Sequence, residues 1–346
     1  MSTNPSIGVA FSGGVDSAVC VRLLQELGFN VTAWHMLTCH KTVDEATVSL
    51  AAALDVPLKV LDFQEVFEKT VVAPFFKAYA EGFTPNPCLC CNARLKFGLL
   101  REAIGGLMAT GHYVRLSEEP QSGEVTLQCG ADPAKDQSYF LYDVPKEILA
   151  SVIFPLGNMT RAQVVELAQK WHLPLPERKL AAGSQDVCFL PEGDYRPELC
   201  KRHPETARPG NVLDMNGKVI GRHQGLATIT RGQRKGLGIA TGGRAFAVGF
   251  DRVANTITLG PKEALEVTAF KVGRFNWMVT PTFPLRCQAV TRYHHRPVMC
   301  TVHEDGTVIP DTPLTLVTPG QACVFYREEW LLGGALIESL SPRNTV

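Results

Sequence analysis

No apolar run in this chain reaches the roughly 18 residues needed to cross a bilayer, which excludes a membrane-spanning helix and leaves no membrane partner. No basic segment followed by an apolar stretch opens it, so a secretion signal is not expected. Net charge is missing as well, since 34 Lys and Arg balance 34 Asp and Glu. There is no Lys-Ser or Lys-Thr pair behind the first glycine turn, which excludes the Walker A phosphate loop. A second Cys-x-x-Cys pair is absent too, so Cys88–Cys91 alone does not make a zinc knuckle. With no export signal, the 11 cysteines point to a reducing cytoplasmic compartment, where clustered thiols serve chemistry or metals rather than disulfide scaffolding.

The 346 residues are enough for two or three domains with an ample core. The zero net charge hides a division along the chain. Residues 1–200 carry 16 basic against 23 acidic side chains, 201–300 carry 16 against 5, and 301–346 carry 2 against 6. A basic middle block suits a polyanion such as RNA, although a solvated basic face has the same composition.

The most informative stretch is Ser12-Gly13-Gly14-Val15-Asp16-Ser17. It follows a short apolar run, Ile7 to Phe11, and precedes helically spaced apolar residues that Gly28 ends. Strand, glycine turn and helix start together form an anion site of backbone N–H groups. Asp16 would repel a bare phosphate there, which implies a metal ion or a carboxylate turned toward the helix amides. Alternating β and α segments continue to Thr110, predicting a parallel sheet with ligands at the carboxyl ends of its strands. Ser12–Ser17, Met36 and Gly111-His112 all fall at those ends. In Thr84–Asn92 the prolines predict an extended segment with Asn92 capping the next helix, and Cys90 reads as a buried structural thiol. Residues 117–131 read as a polar surface hairpin, and Lys135–Tyr142 as a capped helix start with a core aromatic stripe. From about Pro204 short β runs dominate, with the cationic glycine loop Thr230–Gly238 suited to phosphate contacts, and after Thr268 their spacing predicts a small antiparallel barrel.

The hexapeptide Ser12–Ser17 resembles the signature of the ATP pyrophosphatase (PP-loop) families. With Trp34–Met36, Thr84–Pro87, Cys91-Asn92, Ala109–Tyr113, Lys135–Tyr142, Cys188-Phe189, His223–Leu226, Gly232–Ile239 and Thr318–Gln321 in order, nearly the whole chain resembles the tRNA-specific 2-thiouridylases. The resemblance implies an α/β fold: an N-terminal PP-loop (Rossmann-like parallel sheet) domain over 1–203, a small central β domain over 204–267 and a C-terminal β barrel over 268–346. It implies a tRNA-uridine 2-sulfurtransferase that inserts sulfur at C2 of the wobble uridine, uses ATP with Mg2+, and draws sulfur from a persulfide donor protein. ATP would lie on Ala10, Phe11, Ser12, Gly13, Gly14, Val15, Asp16 and Ser17 with Met36 and Gly111. Cys91 matches the family's nucleophile and Cys188 the cysteine that carries the persulfide, with a disulfide bond formed as the second thiol resolves it. Asn86, Pro87 and Cys88 would meet the target base, while His112, Lys135, Asp136, Gln137, Arg292, Tyr293 and Gln321 match tRNA-contacting positions. Two departures stand out. The region after Met36 is short, and Cys88 replaces the usual Asp, so Cys88, Cys91 and Cys188 could instead ligate a [4Fe–4S] cluster. Two other readings remain open: another adenylating PP-loop enzyme, such as an ammonia ligase or a different tRNA thiolase, and a non-catalytic tRNA-binding protein.

Overall fold

The computed structural model describes residues 4–177, 180, 187–190, 193–226, 229–234, 236–239, 243–315 and 317–341. Lys235, within the cationic loop Thr230–Gly238, lies outside them.

The first sheet is entirely parallel. Strands β1 (Ser6–Ala10), β2 (Asn30–Leu37) and β3 (Leu58–Asp62) are laid down in one direction, and β4 (Leu107–Thr110) then pairs on the free edge of β1. Strand order therefore reverses between β1 and β4, and the crevice at their carboxyl ends is where such sheets bind ligands. Helices α1 (Val15–Glu26) and α2 (Glu45–Ala53) cover the sheet, and Val9, Ala18, Cys20, Val21, Leu24 and Ala33 are fully buried between the layers. Asp44 caps α2 by accepting from Thr47 N at 2.6 Å.

Strands β5 (Val114–Glu118) and β6 (Val125–Cys129) form the expected hairpin, but not a free surface one. Its outer strand joins the C-terminal sheet, with Gln128 paired to Trp330. Cys129 N donates to Glu329 O at 2.8 Å, Thr126 Oγ1 to Leu331 O at 2.6 Å, and Trp330 Nε1 to Ser117 Oγ at 2.9 Å. The polar residues that suggested solvent are used instead for these long-range bonds, and Leu127 is buried. Strand β7 (Val152–Ile153) completes the parallel sheet beside β4.

A four-stranded sheet of β8 (Gly210–Leu213), β9 (Val219–His223), β10 (Phe246–Asp251) and β11 (Thr256–Gly260) makes the central unit. The last part is a closed six-stranded antiparallel barrel: β12 (Ala269–Trp277), β13 (Leu285–Val290), β14 (Val298–Val302), β15 (Thr307–Pro310), β16 (Ala322–Arg327) and β17 (Trp330–Ser341), closed by β12 on β17. One core spans both ends of the chain: Leu89, Phe97, Met108 and Tyr142 pack with Met278, Val324 and Leu331. Tyr139 OH donates to Ala322 O at 3.1 Å and Asn276 Nδ2 to Tyr142 O at 2.6 Å. Residues 135–142 therefore plug the seam, with only the single turn Ser138–Leu141 wound as 3-10 helix rather than the longer helix expected.

Candidate active site

The turn after β1 is shaped by Gly13 at φ +72° and by Gly14, extended, before α1. A Cβ at Gly13 would stand 2.0 Å from Thr47 Oγ1, so glycine is required there for space as well as for backbone conformation. Among the described residues no side chain caps α1, which leaves its N-terminal amides available to an anion. Ser17 Oγ donates to Gly14 O at 2.9 Å and lies 3.4 Å from Ser12 Oγ, closing the turn. Ala10 is in register with Trp34 on one side and Thr110 on the other, which sets Gly111 directly across from the turn.

Asp16 is neither turned back to the helix amides nor free for a metal ion alone. Its Oδ1 accepts from Tyr113 OH at 2.7 Å and from Arg161 Nη1 at 2.5 Å. Burial, then the Asp16 charge, push the Tyr113 phenol well above its ordinary range, so it stays protonated and donates. Arg161 starts the helix Arg161–Lys170, held by a Thr160/Gln163 capping box, and its N–H also donates to Asp132 Oδ2 at 2.9 Å. Gly111 packs its Cα on the start of α1: a Cβ there would stand 3.0 Å from Asp16 C and 3.1 Å from Asp16 O. Backbone cannot yield as a side chain does. Gly111→Ala should therefore cost about 1–3 kcal/mol and open the crevice; a lowered Tm together with weakened ATP binding by calorimetry checks this, and unchanged ATP affinity counts against it.

His112, next in the chain, is buried, and Thr110 Oγ1 lies 2.8 Å from its Nδ1. Burial and then Lys96 hold it well below its usual range, so the imidazole is neutral. Met36 is half-buried against the apolar clusters on both sides of it.

The Thr84–Asn92 segment corrects the sequence expectation. The helix begins at Pro87 rather than after Asn92, and Asn86 is its cap, accepting from Cys88 N at 3.1 Å. Proline suits the first helical position because its missing N–H would have no partner there anyway. Asn92 lies inside the helix, buried, and its Nδ2 donates to Phe140 O at 3.1 Å. Helix Pro87–Cys90 continues as a π-wound Cys91–Leu100 and then Arg101–Ile104, so Cys88 and Cys91 are one turn apart on one helix. The barrel braces this helix from outside: Thr84 N donates to Pro319 O at 3.0 Å, and Gln321 Nε2 to Thr84 O at 2.7 Å.

Cys90 Sγ donates to Thr70 O at 3.2 Å, a structural contact. Cys91 is pushed up by burial, with Lys96 opposing. The thiol that the structure sets against Cys188 is Cys39, at an Sγ–Sγ distance of 3.9 Å. Their shared hydrogen bond lowers Cys39 to about 6 and raises Cys188. Cys39, Cys91, Val187 and Phe189 pack on one apolar cluster built on Phe67, Phe75 and Phe76. Among the described residues no three Cys, His, Asp or Glu side chains converge as a metal-binding set, so Cys88, Cys91 and Cys188 do not fit as three ligands of a cluster.

Of the expected tRNA-contacting residues, several turn inward. Asp136 accepts from Gly130 N at 2.9 Å and Ser138 Oγ at 2.8 Å, and Gln137 Oε1 from Tyr113 N at 3.0 Å. Lys135 is half-buried and Arg292 exposed. Tyr293 lies against Phe140 with ring centroids 4.4 Å apart, near the helix that carries the cysteines. In the central unit Arg231 donates to Val248 O and burial lowers it, whereas Arg234 is exposed. Cys39, Thr47, Tyr113 and Arg161 are the residues that sequence reasoning missed. Tyr113 lay within the motif Ala109–Tyr113 but without a role; the other three join the site through tertiary packing.

A parallel sheet with a glycine turn and an uncapped helix start at its switch point defines the class, a nucleotide-binding α/β protein with two appended β units. Three domain models match in order: a tRNA methyl transferase HUP domain over residues 5–192, a tRNA methyl transferase PRC-barrel domain over 198–261 and an aminomethyltransferase beta-barrel domain over 267–337. The chain is 38% identical to the tRNA-specific 2-thiouridylase MnmA of Moorella thermoacetica, covering 96% of this chain and 99% of that one. It is 39% identical to the protein of the same name from Magnetococcus marinus, covering 97% and 100%. The chain belongs to the tRNA-specific 2-thiouridylase family.

Proposed function

We propose that this protein thiolates C2 of the wobble uridine of tRNA, activating the base with ATP and supplying sulfur from a persulfide on Cys188. The observation that carries the reading is the meeting of thiols at the carboxyl end of the parallel sheet: Cys39, two residues after β2, lies 3.9 Å from Cys188, and Cys91 packs on the same apolar cluster as Cys39. The fit to a nucleotide rests on two features: Thr47 Oγ1 is buried without a hydrogen-bond partner among the described residues, and Gly13 and Gly111 leave room where side chains would fill the crevice. Asp16, 40% exposed at its side chain, would meet the Mg2+ that ATP brings; that ion would offset charge on the phosphates.

Uridine O2 is a poor leaving group until adenylated, and the incoming sulfur needs a soft carrier. The Ser12–Ser17 turn and the α1 amides hold the phosphates, and Arg161 with Tyr113 holds the Asp16 carboxylate in place by two hydrogen bonds. Cys188 carries the sulfane sulfur from a persulfide donor protein, and Cys91 is the second reacting thiol. Asn86, Pro87 and Cys88, braced by Gln321 through Thr84, hold the base, and Tyr293 offers a stacking face. In this division of labour residues 1–203 do the chemistry, while 204–267 and 268–346 hold the tRNA.

Incubation with tRNA, ATP and a sulfur source, followed by mass spectrometry of nucleosides and separation of nucleotides, tests the reading. Two-thiouridine with AMP and pyrophosphate is expected; ADP as product, or thiolation surviving loss of both Cys91 and Cys188, sinks it. The basic block supplies a further prediction. Arg234→Ala should weaken tRNA binding and shallow the log–log salt slope by about 0.9 or less. Arg231→Ala should instead lower Tm with the slope unchanged, because its guanidinium is spent on Val248 O. If the two variants behave alike in filter binding across a salt series, the inward and outward assignments are wrong.

A further inference from the structure

Asn86, Pro87 and Cys88 are reached through the link Gly82–Thr84, which is held by parts of the chain far from it in sequence. The link ends the helix Ala73–Ala80. Gly82, at φ +75°, donates its N–H to Tyr79 O at 2.9 Å, and Phe83 N donates to Ala78 O at 2.9 Å, the usual bonds of a glycine-ended helix. This cap accounts for the backbone angle at Gly82 but not for what covers it. The guanidinium of Arg252 fills the space that a Cβ there would take, with Nε 2.6 Å from that point. Arg252 lies in the turn between β10 and β11, where Ala254 N donates to Asp251 Oδ1 at 2.9 Å and Asn255 N to Arg252 O at 3.2 Å. The next residue, Val253, is fully exposed, so the arginine and not an apolar tip meets the link. Burial lowers the guanidinium, and Glu81, just before Gly82, opposes this. A second tie runs from the same unit. Tyr195 OH lies 3.4 Å from Thr230 Oγ1, at the head of the cationic loop, and its ring stacks on Tyr79 with centroids 4.1 Å apart. The barrel holds the rest of the link: a Cβ at Gly320 would stand 2.8 Å from Phe83 Cβ and 3.0 Å from Thr84 N.

We propose that Arg252 is a positioning residue: laid against Gly82, it sets the link that carries Asn86–Cys88, so that the base-holding segment takes its place from the central unit. The proposal rests on the reading above, in which that segment meets the target base. The barrel fixes Phe83 and Thr84, and the central unit fixes Gly82 immediately before them. Asn86 follows two positions after Thr84, and the helix of Cys88 and Cys91 starts at Pro87. A shift at Gly82 therefore has little slack in which to be absorbed before it reaches the residues that hold the base. A guanidinium suits this place because it is planar and can lie flat over a peptide, which an ammonium cannot do. Glycine serves twice at position 82, once for the cap and once for the arginine. Asparagine can meet the first need but not the second.

The test uses the full chain, loaded with sulfur by a low-molecular-weight persulfide, in single turnover with ATP and saturating tRNA. It compares wild type with Arg252→Ala, Gly82→Asn and the double variant. Arg252→Ala should slow thiolation about tenfold, within the loss that a misplacement of about 1 Å brings, with tRNA affinity and its salt slope unchanged. Gly82→Asn keeps the helix cap but displaces the guanidinium, so it should slow the reaction as much, and the double variant should be no slower than either. Arg252→Lys should recover little of the rate. In the tRNA-free protein, iodoacetamide should reach the exposed Cys88 faster in Arg252→Ala than in wild type, with Cys200 labelled equally in both. A fall in affinity and salt slope with the saturated rate kept makes Arg252 a phosphate contact and overturns the proposal. So do losses that multiply in the double variant. Wild-type protein that yields no thiolated tRNA overturns the thiolation reading instead, and Cys88 labelling then decides the role of Arg252: equal rates in wild type and Arg252→Ala sink it.

Discussion

Cys188→Ser is expected to reduce thiolated tRNA by at least about a thousandfold while pyrophosphate release continues, because loss of a covalent nucleophile removes one chemical step and not the other. On the proposed reading the two activities are carried by different parts of the site. Adenylation would need the glycine turn, the α1 amides and Asp16, whose carboxylate is bound to Tyr113 and Arg161. Sulfur transfer would need Cys188 and the Cys91 thiol on the Phe67, Phe75 and Phe76 cluster. A rapid-quench measurement with labelled ATP and tRNA separates them, pyrophosphate reporting adenylation and nucleoside analysis reporting thiolation. If pyrophosphate release falls in parallel with thiolation, Cys188 acts on activation as well, and the division is wrong.

Asp16→Ala is expected to lower ATP turnover by about a hundredfold, the order lost when a reacting group is displaced by about 1 Å, and to leave tRNA affinity within about twofold. The carboxylate joins three elements: α1, on which it is the second residue, Tyr113 after β4, and the helix that Arg161 begins. Alanine leaves the Arg161 guanidinium, whose side chain is only 15% exposed, without this anion. Because Asp16 itself is 40% exposed, solvent screens the pair, and the stability loss should be about 1 kcal/mol rather than the several expected of a fully buried pair. The effect is therefore on catalysis first. Asp16→Asn, which can still accept from Tyr113 and Arg161, should retain more stability than Asp16→Ala but little of the activity; equal turnover in Asp16→Asn and wild type would show that the charge is dispensable.

The parallel sheet and its glycine turn were legible because their signals are local: a short apolar run, two glycines, then helical spacing over 12 residues. The closed barrel was legible from strand spacing alone. The helix of Cys88 and Cys91 starts nearly two turns before the expected Asn92 cap because Pro87, which breaks a helix interior, here occupies the one helical position that favours it. The hairpin of β5 and β6 was misplaced for a different reason. Its polar residues looked solvated, and nothing near residue 128 in the chain announces a partner at residue 330. Cys39 and Arg161 were invisible on the same ground: each joins the candidate site only through contact with a residue 149 or 145 positions away.

That pairing of β6 with β17 has a consequence for how the molecule is made. On the ribosome the hairpin emerges complete once residue 129 has left the exit tunnel, yet the strand that covers its edge begins at Trp330. At about 5–20 residues per second, the intervening synthesis keeps that edge open for roughly 10–40 s. Through that time β6 is an unprotected template, with Leu127 uncovered beside it, and nascent chains on one polysome carry it in close succession. Holding chaperones are therefore expected to meet this protein at its hairpin, and a chain stopped before the last two strands should aggregate through residues 125–129 although its nucleotide-binding sheet is already folded.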